Sequence, residues 1–386
     1  MRPRASCAGI CLSQFRPLAR SRARGLFGST GFGQGNRIVN SPLNPRQKQV
    51  LTAIVDHYIV KAEPVSSKVL SVNPLLQASS ATIRNTMAEL EDLGFVEQPH
   101  TSAGRTPTDR GYRTYINELM HVDPLSAEDR RAIEAEIDEA HDEQELMAHT
   151  ARILGNLTHQ LGVAVSPSVE ESLFKNLSLI PVDQNKVMII LSVSETVFRT
   201  TLVDSGIDTS IYRLESIARR INERMQGKPV SFLNSFLKNP KESSASEEEK
   251  KAFSFFDRSI SKLFKSQQHQ DVQISGTKNI FSRVDFEKLE DLESILDLLD
   301  SKMALVHFLR QRNEKQGVHV TIGEEHQEGH KLRSVSIVTS AFSLGGAHGI
   351  VGVIGPKRMP YSRLISIVDH TAKTLNQHSQ GRKPDA

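Results

Sequence analysis

SSATIRNTMAELEDLGFVEQPHTSAGRTPTDRGYRTYINELM, residues 79–120, sets a helical stripe, a glycine stop and an arginine-rich polar run beside one another. Ile83, Met87 and Leu90 recur at the spacing that puts side chains on one face of a helix. Ser79 or Ser80 supplies the N-terminal cap and Gly94 the stop. Past Gly94, FVEQ and a partner just before Thr108 read as two short strands joined by a loop on Ser102, Ala103 and Gly104. Gly104 is expected to give the turn a positive φ and Pro107 to stiffen its exit. Thr108 is the expected cap of a further helix.

Upstream, LNPRQKQVLTAIVDHYIV places Val50, Ile54 and Val55 at helical spacing, with Ile59 continuing the stripe. VSSKVLSVNP reads as a second short helix with Val65, Val69 and Leu70 inward, ended by Asn73-Pro74. Three short helices followed at once by a glycine-containing hairpin is the order of a winged helix.

That order gives the polar face of the third helix a meaning. Ala81, Asn85 and Ala88 lie opposite the apolar stripe, flanked by Ser80, Thr82 and Arg84. Such side chains suit a DNA major groove: Asn bonds adenine at two points, Arg bonds guanine, and alanine methyls touch thymine. A plain solvated helix face remains the alternative. From Pro99 to Thr108 the chain carries no carboxylate, so His100, Thr101, Ser102 and Arg105 form a run that phosphates would not repel. Residues 42–121 hold eight Lys or Arg against eight Asp or Glu. Affinity must therefore come from local placement of Lys68, Arg84, Arg105, Arg110 and Arg113, and from two copies.

Composition narrows the classes. The chain is 38% hydrophobic and 24% charged, as in an ordinary soluble protein of two or three domains. The longest apolar runs are strand-sized, so no membrane span is expected. Both cysteines, Cys7 and Cys11, fall in the first dozen residues, which fits a reducing, cytoplasmic setting without disulfides. Seven arginines and no acid occupy residues 1–41, so the remainder of this +3 chain is net −4. Residues 1–42 are expected to be a disordered Arg-rich extension: a non-native upstream start, a basic arm grazing DNA, or a targeting segment.

Residues 125–162 are charged and helical, with Ile133, Ile137 and Ile153 apolar, and read as a connector that becomes the first helix of a second domain. From Leu161 the pattern turns to mixed α/β. GVAVSP, LFKNLSLIPV, KVMIILSV and VFRTTLVD alternate like strands, the last two as a hairpin. Residues 213–274 interrupt the sheet with helix-rich, charged sequence. QISGTKNI, a helix pair in DLESILDLLDSKMALVHFLRQR, three strands (HVTIGEE, RSVSIVTSAF, GIVGVIGP) and a last helix follow. The expected fold is thus α+β and multidomain.

No catalytic constellation is legible. HQEGH at residues 326–330 lacks the Glu that a zinc-protease helix carries after its first His, and GVIGPKR lacks the glycine spacing of a phosphate loop. No nucleophile elbow stands out. Neither enzyme chemistry, a metal nor a cofactor is expected.

PVSSKVL, the 79–120 block, LTHQLGVAVSP and GIVGVIGPKRMPYSR, in this order from about Leu43 to Leu375, resemble the bacterial heat-inducible transcription repressor family HrcA. The resemblance implies a winged helix at 43–121 and a GAF-like α/β domain in two parts, 122–212 and 275–386. A helix-rich dimerisation domain at 213–274 splits it. It also implies a homodimer bound to double-stranded DNA at an inverted-repeat CIRCE operator, dependence on the GroEL chaperonin, and a nucleoid-associated place in the bacterial cytoplasm. A winged-helix regulator whose GAF-like domain senses a metabolite is the alternative. Thr86 departs from the acidic residue expected after Arg84-Asn85.

Overall fold

The computed structural model describes residues 42–381 apart from 102, 169–171, 184–185, 194–197, 205–210, 234–271, 282–294, 297–298, 300, 312–316, 327–331 and 345–346. The expected disordered extension, most of the expected insertion and most of the first helix of the expected pair lie outside these residues.

The N-terminal module begins with α1 (Pro45–Lys61), α2 (Ser67–Ser71) and α3 (Ser80–Asp92). Each start is fixed by a side-chain cap. Asn44 and Gln47 form a reciprocal box at α1, Ser66 caps α2, and Ser79 caps α3. The caps satisfy backbone N–H groups that a helix leaves without partners. β1 (Val96–Glu97) and β2 (Thr106–Pro107) pair antiparallel, Val96 opposite Pro107, before α4 (Asp109–Thr114) and one π turn over Tyr115–Leu119. Val50, Leu51, Ile54, Val55, Leu70, Ile83, Met87, Leu90, Phe95 and Tyr112 form the buried interior.

Two expectations about α2 change. Val65 is buried but precedes the helix, paired as an extended residue with Arg105. Val69 points outward, 44% exposed, because adjacent helical side chains point about 100° apart and the buried face is the one that carries Ser67 and Leu70.

The charged connector is two helices, α5 (Ala127–Asp138) and α6 (Glu143–Thr158). They pack side by side, with Arg152 and His149 of α6 against Glu136 of α5. The apolar Ile133, Ile137 and Ile153 are buried.

Beyond them lie two separate sheets. β3 (Leu161–Val165), β7 (Val272–Ser275), β8 (Val318–Ile322), β9 (Val335–Leu344) and β10 (Ala347–Pro356) form an antiparallel sheet in the order β7-β3-β10-β9-β8. β4 (Asn176–Asp183), β5 (Lys186–Ser192) and β6 (Phe198–Asp204) form a second antiparallel sheet of their own. The main sheet is therefore left just after β3, not at residue 213, and regained at β7. Period-2 alternation marks β5 and β6 as strands but cannot say which sheet they join.

Helices cover the main sheet on both faces. Leu161, Val163, Val165, Ile337, Ile350 and Ile354 pack toward α9 (Lys302–Arg310), whose Leu305, Phe308 and Leu309 are buried. Ala164, Val338, Val351 and Val353 pack toward the side of α6 and α10 (Tyr361–Gly381). That is why LGVAV and GIVGVIG read as almost continuous apolar runs. At Gly162 a β-carbon would lie 2.1 Å from the Ala151 carbonyl oxygen, so only glycine admits α6 at this depth. Between β6 and β7 in sequence stands α7 (Ile211–Met225), which packs on β4, and α8 (Thr277–Phe281) follows β7.

In the N-terminal module the Tyr115 hydroxyl donates to Asp56 Oδ1 at 2.6 Å. Burial raises the Asp56 carboxyl above its ordinary range, and this hydrogen bond holds it part of the way back. A raised carboxyl holds its proton more tightly folded than unfolded. Its contribution therefore favours folding at low pH and is lost as pH rises through the folded-state value. Tyr115→Phe removes the donor, so we expect a loss of about 1 kcal/mol at neutral pH. The loss should shrink as Asp56 protonates, which thermal unfolding at neutral pH and at about pH 4 measures.

Candidate nucleic-acid interface

The face of α3 follows from what the core takes. Ile83, Met87 and Leu90 are at most 4% exposed, so Ala81, Arg84, Asn85 and Ala88 stand in solvent. Thr82 and Ser80 are half-buried at the N-terminal end. Ser80 Oγ lies 3.2 Å from Ser67 Oγ, tying α3 to α2, and Thr82 Oγ1 lies 2.9 Å from the capping Ser79 Oγ. Lys68 of α2 is exposed. Among the described residues, neither Lys68 nor Arg84 is ion-paired, so both remain available to an anion. Thr86, which stands where an acidic residue is expected, is buried, and its hydroxyl donates to the Thr82 carbonyl at 3.1 Å.

α3 ends in a glycine cap with Gly94 at φ +74°. The Gly94 and Phe95 amides donate back to the Glu91 and Leu90 carbonyls at 2.8 and 2.9 Å. Two side chains take up the carbonyls just past the helix end. Thr108 Oγ1 donates to Gly94 O at 2.7 Å, and Arg110 Nη1 to Leu93 O at 2.6 Å. The Arg110 guanidinium also lies 4.4 Å from the centre of the Phe95 ring.

The strands and their loop form a wing held at three places. Val65 and Arg105 exchange backbone hydrogen bonds at 2.9 Å, adding a third extended segment. The Gln98 amide donates to Thr101 O at 2.9 Å and Ala103 O at 3.0 Å, and Ala103 N donates to His100 O at 2.8 Å. His100 and Thr101 are thereby displayed at the exposed tip, while Ser102 lies outside the described residues. Gly104 does not take a positive φ. It is needed because a β-carbon there would come within 2.4 Å of the Val65 backbone.

Of the arginines selected from sequence, only Arg84 is exposed and without an internal partner among the described residues. Arg105 pairs with Glu91 at 2.7 Å, linking the wing to the last turn of α3. Arg110 lies exposed at the α3 terminus, as described. Arg113 turns away from the α3 face altogether. Its Nε donates to Glu325 Oε1 at 2.7 Å and its Nη2 to the Val320 carbonyl at 2.6 Å, both on the α/β body.

Arg113 belongs to a polar joint that sequence reasoning missed. Asp109 accepts from Lys357 Nζ and, at 2.9 Å, from the Glu324 amide. Arg358 Nη1 donates to the Ile59 carbonyl at 2.7 Å. The Tyr112 and Tyr361 rings meet edge-on, centroids 6.0 Å apart. The PTDRGYR and GPKRMPY segments were legible as blocks, but nothing in either showed that the two would meet. His326, from the HQEGH run, is 4% exposed, with Nε2 3.1 Å from the Val335 carbonyl and its ring against Phe308.

A family model for the HrcA winged helix-turn-helix DNA-binding domain of transcription repressors matches residues 42–120, and one for the HrcA protein C terminal domain matches residues 144–365. The heat-inducible transcription repressor HrcA of Syntrophobacter fumaroxidans is 33% identical over 348 residues, covering 87% of this chain and 97% of that protein. Its counterpart in Natranaerobius thermophilus is 32% identical over 347 residues, covering 88% and 98%. The crystal structure of a hypothetical protein, 26% identical, superimposes with a TM-score of 0.55 over 87% of this chain and 100% of that one. With the winged helix built at residues 43–120 and the α/β body behind it, this chain belongs to the HrcA family of heat-inducible transcription repressors.

Proposed function

We propose that the chain represses heat-shock operons encoding chaperonin and chaperones. In this reading it binds as a homodimer to an inverted-repeat operator of the CIRCE type, and GroEL keeps it in the binding form. The observation that carries the reading is the solvent-facing stripe Ala81, Arg84, Asn85 and Ala88, set opposite a fully buried stripe on the same helix and beside a pinned wing. α3 enters the major groove, Lys68 and the wing tip meet phosphates, and Arg84 and Asn85 read base edges. A footprint on the promoter of the organism's own chaperonin operon tests it, with protection of an inverted repeat expected.

We expect Arg84→Ala and Asn85→Ala each to reduce discrimination between operator and scrambled duplex by about 1–3 kcal/mol. Glu91→Gln releases Arg105 and should tighten binding to both duplexes, steepening the salt dependence by about one phosphate contact. Equal losses on both duplexes for Arg84→Ala and Asn85→Ala would move the reading face off α3.

For the dimer, the body is read as a GAF-like domain entered and left around the segment between β3 and β7, and that segment as the dimerising insertion. Support comes from the second sheet. One face of it packs Leu177, Leu179, Val187, Ile189 and Leu191 inward, near α7. The other carries Ile180, Met188 and Leu202 in one cross-strand row, with Ile180 40%, Phe198 57% and Leu202 55% exposed. A second copy covers this apolar face in the proposed dimer. Leu202→Glu should shift the protein to monomer in sedimentation and weaken binding to the full inverted repeat more than to a half-site.

The chaperonin link rests on the family resemblance and on apolar side chains left in water beside α3, with Val72 and Leu75 each 81% exposed. Adding GroEL with ATP should raise the operator-binding fraction several-fold as purified protein loses activity. Full binding without chaperonin, unchanged by its addition, would remove it from the scheme.

A further inference from the structure

We propose that the joint between α4 and the α/β body is a specificity element, fixing the separation between half-sites that the repressor accepts. This rests on the dimeric, DNA-binding reading above. Asp109, Arg113, Glu325 and Lys357 act as positioning residues, not as contacts to DNA.

The geometry points to a rigid mount. Asp109 sits in the first turn of α4 and is gripped from two directions, by Lys357 Nζ at the end of β10 and by the Glu324 amide after β8. One turn later, Arg113 reaches both the Glu325 carboxylate and the Val320 carbonyl. The contacts thus come from two places along α4 and from two strands of the body, which resists rotation as well as separation. The ion-paired side chains are partly shielded, between 19% and 31% exposed, so water and salt screen them less than a surface pair. Gly323 shows how closely the surfaces fit: a β-carbon there would lie 2.1 Å from Asp109 Oδ2. The connection from α4 to α5 is fastened too, since the Asp123 amide donates to Ser362 Oγ at 2.8 Å.

The same helix holds the reading element. Thr108, the α4 cap, donates to the Gly94 carbonyl just past α3, and Gly111 admits the Phe95 carbonyl where a β-carbon would lie 2.1 Å from it. α3, the wing and α4 therefore move together, and the joint transfers the body's orientation to α3. In a two-fold dimer, inserting one base pair moves a half-site by about 3.4 Å and rotates it by roughly a tenth of a turn. A module on a loose tether absorbs that change, whereas one on a fixed mount loses its second half-site.

The test compares the wild-type chain with Asp109→Asn/Glu325→Gln, which keeps side-chain size but removes both ion pairs. Each is titrated against its preferred inverted repeat, against repeats with the spacer changed by one to five base pairs, and against an isolated half-site. The wild type should lose tenfold or more in affinity on altered spacers. The variant should bind the half-site as the wild type does yet vary less than threefold across spacers. If the variant binds the half-site and still rejects altered spacers as the wild type does, the joint does not set spacing and the proposal is overturned. If the variant no longer binds a half-site, Lys357→Met on the body side carries the test with the same two outcomes. A wild-type chain with no preference for any inverted repeat over scrambled duplex would defeat the DNA-binding reading itself, and this proposal with it. A wild type that prefers the repeat but accepts every spacer equally would defeat only the proposal.

Discussion

α4 is the piece on which the rest of the arrangement depends, because this helix of six residues touches both the winged helix and the α/β body. Toward the winged helix it lies so close to β1 that position 111 tolerates no side chain, and its cap, Thr108, closes the end of α3. Toward the body it carries one acid and one base, each met by an opposite charge and a backbone group. Such partly shielded, hydrogen-bonded pairs hold an orientation more than they add stability. A helix this short has little stability of its own, so it is the tertiary contacts that keep it formed.

Charge is distributed by the same constraint. The winged helix carries no net charge, and most of its selected arginines have internal tasks: Arg105 answers Glu91, Arg110 closes a helix terminus, and Arg113 joins the body. What faces outward near α3 is a small set, Lys68, Arg84 and the polar wing tip. A module of this kind gains little from a broad electrostatic field and relies on placement. Placement in turn requires that the wing tip be held, which the Gln98 side-chain amide does together with the Ala103 to His100 backbone hydrogen bond.

The two sheets illustrate opposite ways of dealing with apolar surface. In the main sheet both faces are covered by the chain's own helices, and β3 and most of β10 are apolar on both faces. In the smaller sheet one face packs inward, near α7, and the other leaves Ile180, Phe198 and Leu202 to solvent. These exposed side chains belong to the stretch of chain between β3 and β7, where no helix of the described residues lies over them as α6, α9 and α10 lie over the main sheet.

The sequence by itself determined every element whose cause is local. The stripe of α3, the caps at Ser79 and Thr108, the stop at Gly94, the two wing strands and the apolar runs of β3, β9 and β10 are all periodicity or capping, which act within a few residues. Those local signals, with the family blocks, also made the exposed face of α3 legible. What only tertiary structure decided has partners far away in the chain. Arg113 meets Glu325 across 212 residues, and Lys357 meets Asp109 across 248. An arginine's type shows that it will seek an anion, without showing whether a phosphate or a distant carboxylate reaches it first. Gly104 was recognised as necessary, but the reason, the backbone of Val65 against its α-carbon, exists only once the chain has folded. Strand alternation likewise tells which side chains face together and is silent on which sheet a strand joins, because that choice depends on long-range pairing.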